Sequence, residues 1–366
     1  MCSRDGATSA SGGWPHDGRR DHPMSELVRA ALARVMAGGS LGRDEARLAM
    51  GSVMEGEATP GQLAGLLIAL RSRGETVDEL TGFAQAMRER VLPVAAPDGA
   101  IDTCGTGGDG SGTFNISTAA ALVVAAAGVP VAKHGNRAVT SQAGSADVLE
   151  ALGVPIDHDP ERAAEALQAH GFAFLFAPAY HPAMRHAGPV RRELGVPTCF
   201  NLLGPLTNPA GVRRQVMGVA DPRTAARVAQ VLHELGAERA LVVHGNGVDE
   251  LPLDDSGVVY DVSAAGVRRR RVSAARLGLR PAARDELRGG SAAENAALIE
   301  GVLAGTDRGP RRDVVLLNAG AALLAAGRVR SLADGVGLAG RTVDAGEAGA
   351  LLDVLRRRAE ADRSVA

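Results

Sequence analysis

The chain has 366 residues with 45% hydrophobic content, 22% charge and a formal net charge of -2, enough apolar material for about two domains and no overall electrostatic pull toward nucleic acid or an anionic membrane. Aromatics contribute only 2%, so Ala, Val and Leu must fill the core, which suits helices packed closely on a sheet and speaks against an all-β architecture. Cys2, Cys104 and Cys199 are odd in number and form no C-x-x-C pair, which argues against a disulfide framework or structural zinc and for a reducing, cytoplasmic compartment.

Residues 1–23 are rich in Gly, Ser, Asp and Arg without an apolar stretch, predicting a disordered extension ahead of a functional start at Met24. From Ser25 four short amphipathic helices are expected. Leu27, Val28, Ala31, Leu32 and Val35 share the face of the first, the second begins near Ser40, the third follows Thr59-Pro60, and the fourth opens on the capping box Thr76-Val77-Asp78-Glu79. After Pro97 the rhythm changes to strand, glycine turn and helix. Strands are predicted over 100–104, 129–133, 172–176, 215–219 and 239–243, with helices over 117–127, 145–152 and 223–235. The apolar run from Ala119 to Val131 falls short of the roughly 20 residues of a membrane span and contains Gly128 and Pro130. Alternating strands and helices imply an α/β fold with a mainly parallel sheet, whose ligands sit at the carboxyl ends of the strands. Short helices over 184–210 interrupt that rhythm and are assigned to the helical unit. A hairpin over 258–272 and three or four helices complete the chain. The expected division is 24–96 with 184–210 as a small α-helical domain and 97–183 with 211–366 as a large α/β domain.

Two polar runs follow predicted strand ends. The first, Gly105-Thr106-Gly107-Gly108-Asp109-Gly110-Ser111-Gly112, can turn backbone N–H groups toward an anion, and Asn115-Ile116-Ser117-Thr118 then opens a helix whose amino end adds its dipole. Alone, it would serve equally as a flexible turn capped by Asn115 or Ser117. The second, Lys133-His134-Gly135-Asn136-Arg137-Ala138-Val139-Thr140-Ser141, holds the only lysine; every other member of the 40 Lys+Arg is arginine. It offers an ammonium, an amide, a guanidinium and two hydroxyls. Two donor-rich turns after adjacent parallel strands suit a substrate with separate phosphate groups. Asp249-Glu250 follows the strand ending at Val243 and the turn His244-Gly245-Asn246-Gly247, where paired carboxylates suit Mg²⁺ bridging to phosphate. His181 and His186 flank Pro182 without a third ligand in register, so a capping or core role is expected. The run Arg268 to Arg271 reads as a solvated strand edge.

Together, Gly105 to Thr118, Lys133 to Ser141, Gly144 to Gly153, Arg191-Arg192-Glu193-Leu194-Gly195, Asn201 to Pro209 and Asp249-Glu250-Leu251 resemble the anthranilate phosphoribosyltransferase family, in order, from about Met24 to the last helices. The resemblance implies a helical domain joined to a large α/β domain, and a homodimer formed through the helical domain. The reaction it implies moves phosphoribose from 5-phosphoribosyl 1-pyrophosphate to the amine of anthranilate with Mg²⁺, two ions per subunit, in tryptophan biosynthesis. Gly105, Gly108, Asp109, Thr113, Asn115, Ile116, Ser117 and Thr118 would hold pyrophosphate and ribose. Lys133, His134, Gly135, Asn136, Arg137, Ala138, Val139, Thr140, Ser141 and Ser145 would wrap the phosphates. Gly105, Asn136 and Arg191 would meet anthranilate, and Ser117, Asp249 and Glu250 the metal. No general base is implied, His134 being the nearest candidate. The chain departs from the family pattern in its extension before Met24 and at Pro252, where a small hydroxyl residue is expected. A pyrimidine nucleoside phosphorylase should differ in lysine and serine within the first loop, and a nucleic-acid-binding relative finds support only in Arg268 to Arg271 and Arg356 to Arg358.

Overall fold

The computed structural model describes residues 25–138 and 142–365. The extension expected over 1–23, the start at Met24, and Val139, Thr140 and Ser141 lie outside them.

The first unit consists of α1 (Glu26–Met36), α2 (Arg43–Met54), α3 (Pro60–Arg73) and α4 (Val77–Arg88). Its caps are those the sequence encodes. Thr76 Oγ1 accepts from Glu79 N–H at 3.2 Å while Thr76 N–H donates to Glu79 Oε2 at 2.8 Å, and a second reciprocal box joins Thr59 to Gln62. Glu79 is fully buried and also accepts the Leu41 N–H at 2.9 Å, with Arg73 as its ion-pair partner.

The remainder alternates as expected: β1 (Ile101–Gly105), α5 (Ile116–Ala126), β2 (Val131–Gly135), α6 (Ser145–Ala151), α7 (Pro160–His170), β3 (Phe172–Phe176), α8 (Ala177–Tyr180), α9 (Gly188–Leu194), α10 (Phe200–Leu203), β4 (Arg214–Gly218), α11 (Pro222–Glu234), β5 (Arg239–Gly245), β6 (Gly257–Ser263) and β7 (Gly266–Val272). Four helices close the chain: α12 (Ala292–Leu303), α13 (Pro310–Ala325), α14 (Leu332–Asp344) and α15 (Glu347–Val365). The seven strands lie in the order β3-β2-β1-β4-β5-β6-β7. The first five run parallel, and the hairpin β6–β7 adds antiparallel to β5. Arg268 to Arg271 line the edge strand and are exposed.

Three elements differ from expectation. β2 runs two residues later than predicted, because Gly128 takes φ +85° and Pro130 has no N–H to give a ladder. Lys133 therefore sits in the middle of the strand and not at its end. β5 continues through His244 and Gly245, since β6 pairs with it as far as Gly245↔Gly257, and the turn is left to Asn246 and Gly247. Helix α7 was not among the expected elements; Asp159 caps it by accepting the Arg162 N–H at 2.8 Å, and Pro160 starts it.

Side chains alternate across the sheet with period two. Val131, Phe172, Phe174, Val216, Leu241 and Val243 pack with α5 and the carboxyl-terminal helices, while Met217, Ala240 and Val242 face α11 and the amino-terminal helices. Ala187, Val190, Phe200, Leu203 and Leu206 share the apolar cluster of α1–α4. Every strand from β1 to β5 thus delivers its carboxyl end to one rim, beside that helical layer.

Candidate active site

The glycine-rich loop leaves β1 at Gly105 and is shaped by positive φ at Gly107, Gly108, Gly110 and Gly112, a conformation L side chains rarely adopt. Asp249 lies directly over the ends of β1 and β4. Its Oδ2 accepts the Gly107 N–H at 2.9 Å, and its own N–H donates to Asp109 Oδ2 at 3.4 Å. A Cβ at Gly218 would overlap the Asp249 carbonyl oxygen, and one at Gly105 would collide with its carboxylate. Two strand ends are therefore kept bare so that this carboxylate can sit on them. Burial and the neighbouring charge of Asp109 push the Asp249 pKa up to about 7.

The adjacent carboxylate meets the amino end of α5. Glu250 Oε1 accepts the Ser117 N–H at 3.1 Å, the arrangement a helix dipole favours. Burial, then the charge of Asp249, drive the Glu250 pKa well above its ordinary range. Lys133 supplies the compensating charge from below. It is 1% exposed, and its Nζ donates to the Thr103 carbonyl at 2.6 Å and to Ser117 Oγ at 3.4 Å. Burial lowers its pKa, opposed by Asp102, Cys104 and Glu250. The lysine reaches the site as a buried countercharge under Ser117 and Glu250, from the middle of β2 and not from its carboxyl end.

His134 points to the other face of the sheet. Its Nδ1 lies 3.1 Å from the Gly204 carbonyl and its Nε2 3.2 Å from His181 Nε2, and burial lowers its pKa to about 3. A neutral, enclosed imidazole of this kind fits a structural tie between β2 and the 181–206 segment. His181 is likewise buried. Gly135 ends β2 against Ser145 and Phe174, and Asn136 is exposed just beyond it, its carbonyl accepting the Ser145 hydroxyl at 3.3 Å. Arg137 is already engaged, with bonds to Asp147 at 3.0 Å and Glu150 at 2.7 Å that raise its pKa. Ala138 N–H donates to Asp147 Oδ2 at 3.0 Å.

Within the first loop Gly108 is exposed, and Asp109, Thr113, Asn115 and Ser117 are half-buried along the rim. Ile116 and Thr118 turn inward instead, at 1% and 0% exposure, so only their backbones can face a ligand. Arg191, on α9, is half-buried with its Cζ 5.0 Å from the Phe200 ring centroid. No carboxylate pairs with it among the described residues, and burial lowers its pKa.

Two family models match the chain: a glycosyl transferase family helical bundle domain over residues 29–91 and a glycosyl transferase family a/b domain over 97–349. An anthranilate phosphoribosyltransferase of Roseiflexus sp. strain RS-1 is 52% identical over 330 residues, covering 90% of this chain and 97% of the relative. The chain belongs to the anthranilate phosphoribosyltransferase family. The crystal structure of the Thermus thermophilus enzyme superimposes with a TM-score of 0.85 at 49% identity, covering 90% of this chain and 99% of that one. The Saccharomyces cerevisiae enzyme shares the fold, with a TM-score of 0.83 at 24% identity over 93% of this chain and 99% of that one.

The donor set suits the magnesium this family implies. Among the described residues no three or more His, Cys, Asp or Glu side chains converge as an all-protein metal cage would. Magnesium instead commonly takes one or two carboxylates and completes its shell with water and substrate oxygens. Asp249 and Glu250, whose charged forms repel one another and are destabilised by burial, are hard oxygen ligands that a cation would relieve.

Two asparagines to which the sequence reading gave no role support the site. Asn318, buried in α13, accepts the Leu251 N–H at 3.0 Å and donates to the Leu251 carbonyl at 3.0 Å, fixing the residue after Glu250. Asn208 donates to Asp102 Oδ2 at 2.8 Å and to the Ala132 carbonyl at 2.8 Å, tying the end of the 184–210 segment to β1 and β2. Pro252, the departure from the family pattern, packs on Gly245, which has no room for a side chain. The only sequence signal at Asn318 is a polar residue in an otherwise apolar stretch, whereas Asn208 lies within the motif Asn201 to Pro209.

Proposed function

We propose that the rim shared by β1, β2, β4 and β5 is where this chain carries out its family's reaction. The chain transfers the phosphoribosyl group of 5-phosphoribosyl 1-pyrophosphate to the amine of anthranilate, giving N-(5-phosphoribosyl)anthranilate and pyrophosphate, a step of tryptophan biosynthesis; identity of 52% over 90% of its length carries that activity. The observation that bears most weight is the meeting of the Asp249–Glu250 pair with the glycine-rich loop and the amino end of α5.

Breaking the anomeric bond builds positive charge on the ribose and negative charge on the leaving pyrophosphate. The glycine-rich loop, where the N–H groups of Gly108, Gly110 and Gly112 have no partner among the described residues, receives the pyrophosphate, and the dipole at the amino end of α5 adds to its hold. The yeast relative was solved with PRPP and Mg, and Ser117, Asp249 and Glu250 would hold Mg²⁺ here, two ions per subunit. Bound magnesium would supply charge neutralisation for the leaving group. Arg191 and Asn136 orient anthranilate, the unpaired guanidinium receiving its carboxylate. An aryl amine attacks without a strong base, so positioning and leaving-group stabilisation carry the rate, in keeping with the enclosed, neutral His134. Residues 184–210 belong to the helical domain in this reading, supported by the apolar cluster they share with α1–α4. A homodimer through that domain and a cytoplasmic location complete it.

The direct test follows loss of anthranilate fluorescence. Consumption should require both the phosphoribosyl donor and Mg²⁺, and Arg191→Ala should raise KM for anthranilate at least tenfold, about the weight of one charged hydrogen bond, with the donor KM little changed. Turnover without the donor, or an Arg191→Ala enzyme with unaltered anthranilate KM, contradicts the assignment.

A further inference from the structure

The glycine-rich loop is braced by a segment far along the chain. The Gly289 N–H donates to the Gly112 carbonyl at 2.9 Å, the Phe114 N–H donates to the Leu287 carbonyl at 3.0 Å, and Thr113 bridges Arg288 in antiparallel sense. A Cβ at Gly289 would stand 2.5 Å from Asn295 Oδ1 and 2.7 Å from Phe114 Cα, so the segment lies flat against the loop. At its end Asn295, in the first turn of α12 and 3% exposed, makes the one side-chain connection. Asn295 Oδ1 accepts the Gly290 N–H at 2.7 Å, Asn295 Nδ2 donates to Asn115 Oδ1 at 2.9 Å, and Asn115 Nδ2 donates to the Ala143 carbonyl at 3.2 Å.

The direction of this relay is forced at both ends. A backbone N–H only donates and a carbonyl only accepts, so each carboxamide has one permitted orientation. The relay spans the turn before α5 and the turn before α6, which are the exits of the two donor-rich runs. The loop itself, with glycines at 107, 108, 110 and 112 all at positive φ, has little stiffness of its own; its order must come from outside.

We propose that Asn295 is a positioning residue for the phosphoribosyl donor, acting through Asn115 to set the spacing between the two donor-binding turns without touching substrate. This rests on the reading of the cleft given above. Asn295→Asp isolates the effect: it keeps an acceptor for the Gly290 N–H but turns an oxygen toward Asn115 Oδ1, which cannot flip without losing Ala143. Steady-state kinetics on the full chain should show KM for the donor rising about tenfold, the weight of one net hydrogen bond, with KM for anthranilate within about twofold of wild type at a temperature where the variant is fully folded. In an Asn115→Ala background the same substitution should add nothing further. Asn295→Ala, which removes both bonds without adding charge, gives the same split if the Asp variant does not fold. Both KM values rising together, an undiminished effect in the Asn115→Ala background, or an unmoved donor KM overturns the proposal. Wild-type turnover with unmoved donor KM in the variants overturns the positioning role alone, whereas absence of wild-type turnover removes the reading of the cleft and this role with it.

Discussion

Replacing Lys133 by Met tests the buried ammonium as a countercharge. The change removes a 2.6 Å charge-assisted bond to the Thr103 carbonyl, worth about 1.5–3 kcal/mol. It also removes the cost of burying the ammonium, which is what lowers the lysine's pKa. Asp102 decides how the balance moves with pH. Burial lifts its pKa from 3.8 to about 6, and the charge of Lys133 is the strongest influence holding it down. Because the native value lies above the unfolded one, the folded chain binds that proton more tightly. Stability is therefore greatest below pH 4 for this group and falls as pH rises through about 6, by about 3 kcal/mol at about 1.36 kcal/mol per pH unit. Without Lys133 the Asp102 value climbs further and the fall continues to higher pH; Glu250, lowered by the same ammonium, acts in the same sense. Lys133→Met should cost about 1 kcal/mol at pH 5 and about 2–3 kcal/mol at pH 8. The assay is the urea midpoint at unchanged slope. Equal losses at the two pH values, or none at pH 8, would refute the reasoning.

Gly218→Ala should abolish most turnover, since the new methyl overlaps the Asp249 carbonyl; a stability loss of about 1–3 kcal/mol in denaturation is expected alongside. Asn318→Ala leaves the Leu251 N–H and carbonyl without the partners they have now, which should cost about 2 kcal/mol and raise the Mg²⁺ concentration for half-maximal activity. Protons compete with metal at Asp249, whose pKa stands at about 7, so the Mg²⁺ concentration for half-maximal activity should rise about tenfold for each pH unit below that value and level off above it.

The strand Phe172–Phe176 and the cap at Thr76 were legible residue for residue, because a short aromatic-aliphatic run and a capping box are local signals. Lys133 was legible as exceptional and as part of the second strand, but not as buried. The groups that make its burial tolerable, Asp102, Thr103, Ser117 and Glu250, come from separate stretches of the chain. Helix α7 escaped because it is alanine-rich and buries only Ala163, Ala166 and Leu167, a weak periodic signal. The Asp249–Glu250 pair was readable from its place after a strand, whereas the bare glycines beneath it acquire meaning only when β1 and β4 lie side by side. Asn208, Asn295 and Asn318 reach the site through partners 106, 180 and 67 positions away in the chain, which no spacing rule reveals.

The most direct measurement is a crystal structure of the chain soaked with 5-phosphoribosyl 1-pyrophosphate and Mg²⁺. The account predicts pyrophosphate density against the N–H groups of residues 107–117, with metal between it and the carboxylates of Asp249 and Glu250. Donor density elsewhere, or a pyrophosphate that leaves both carboxylates without metal, would contradict it.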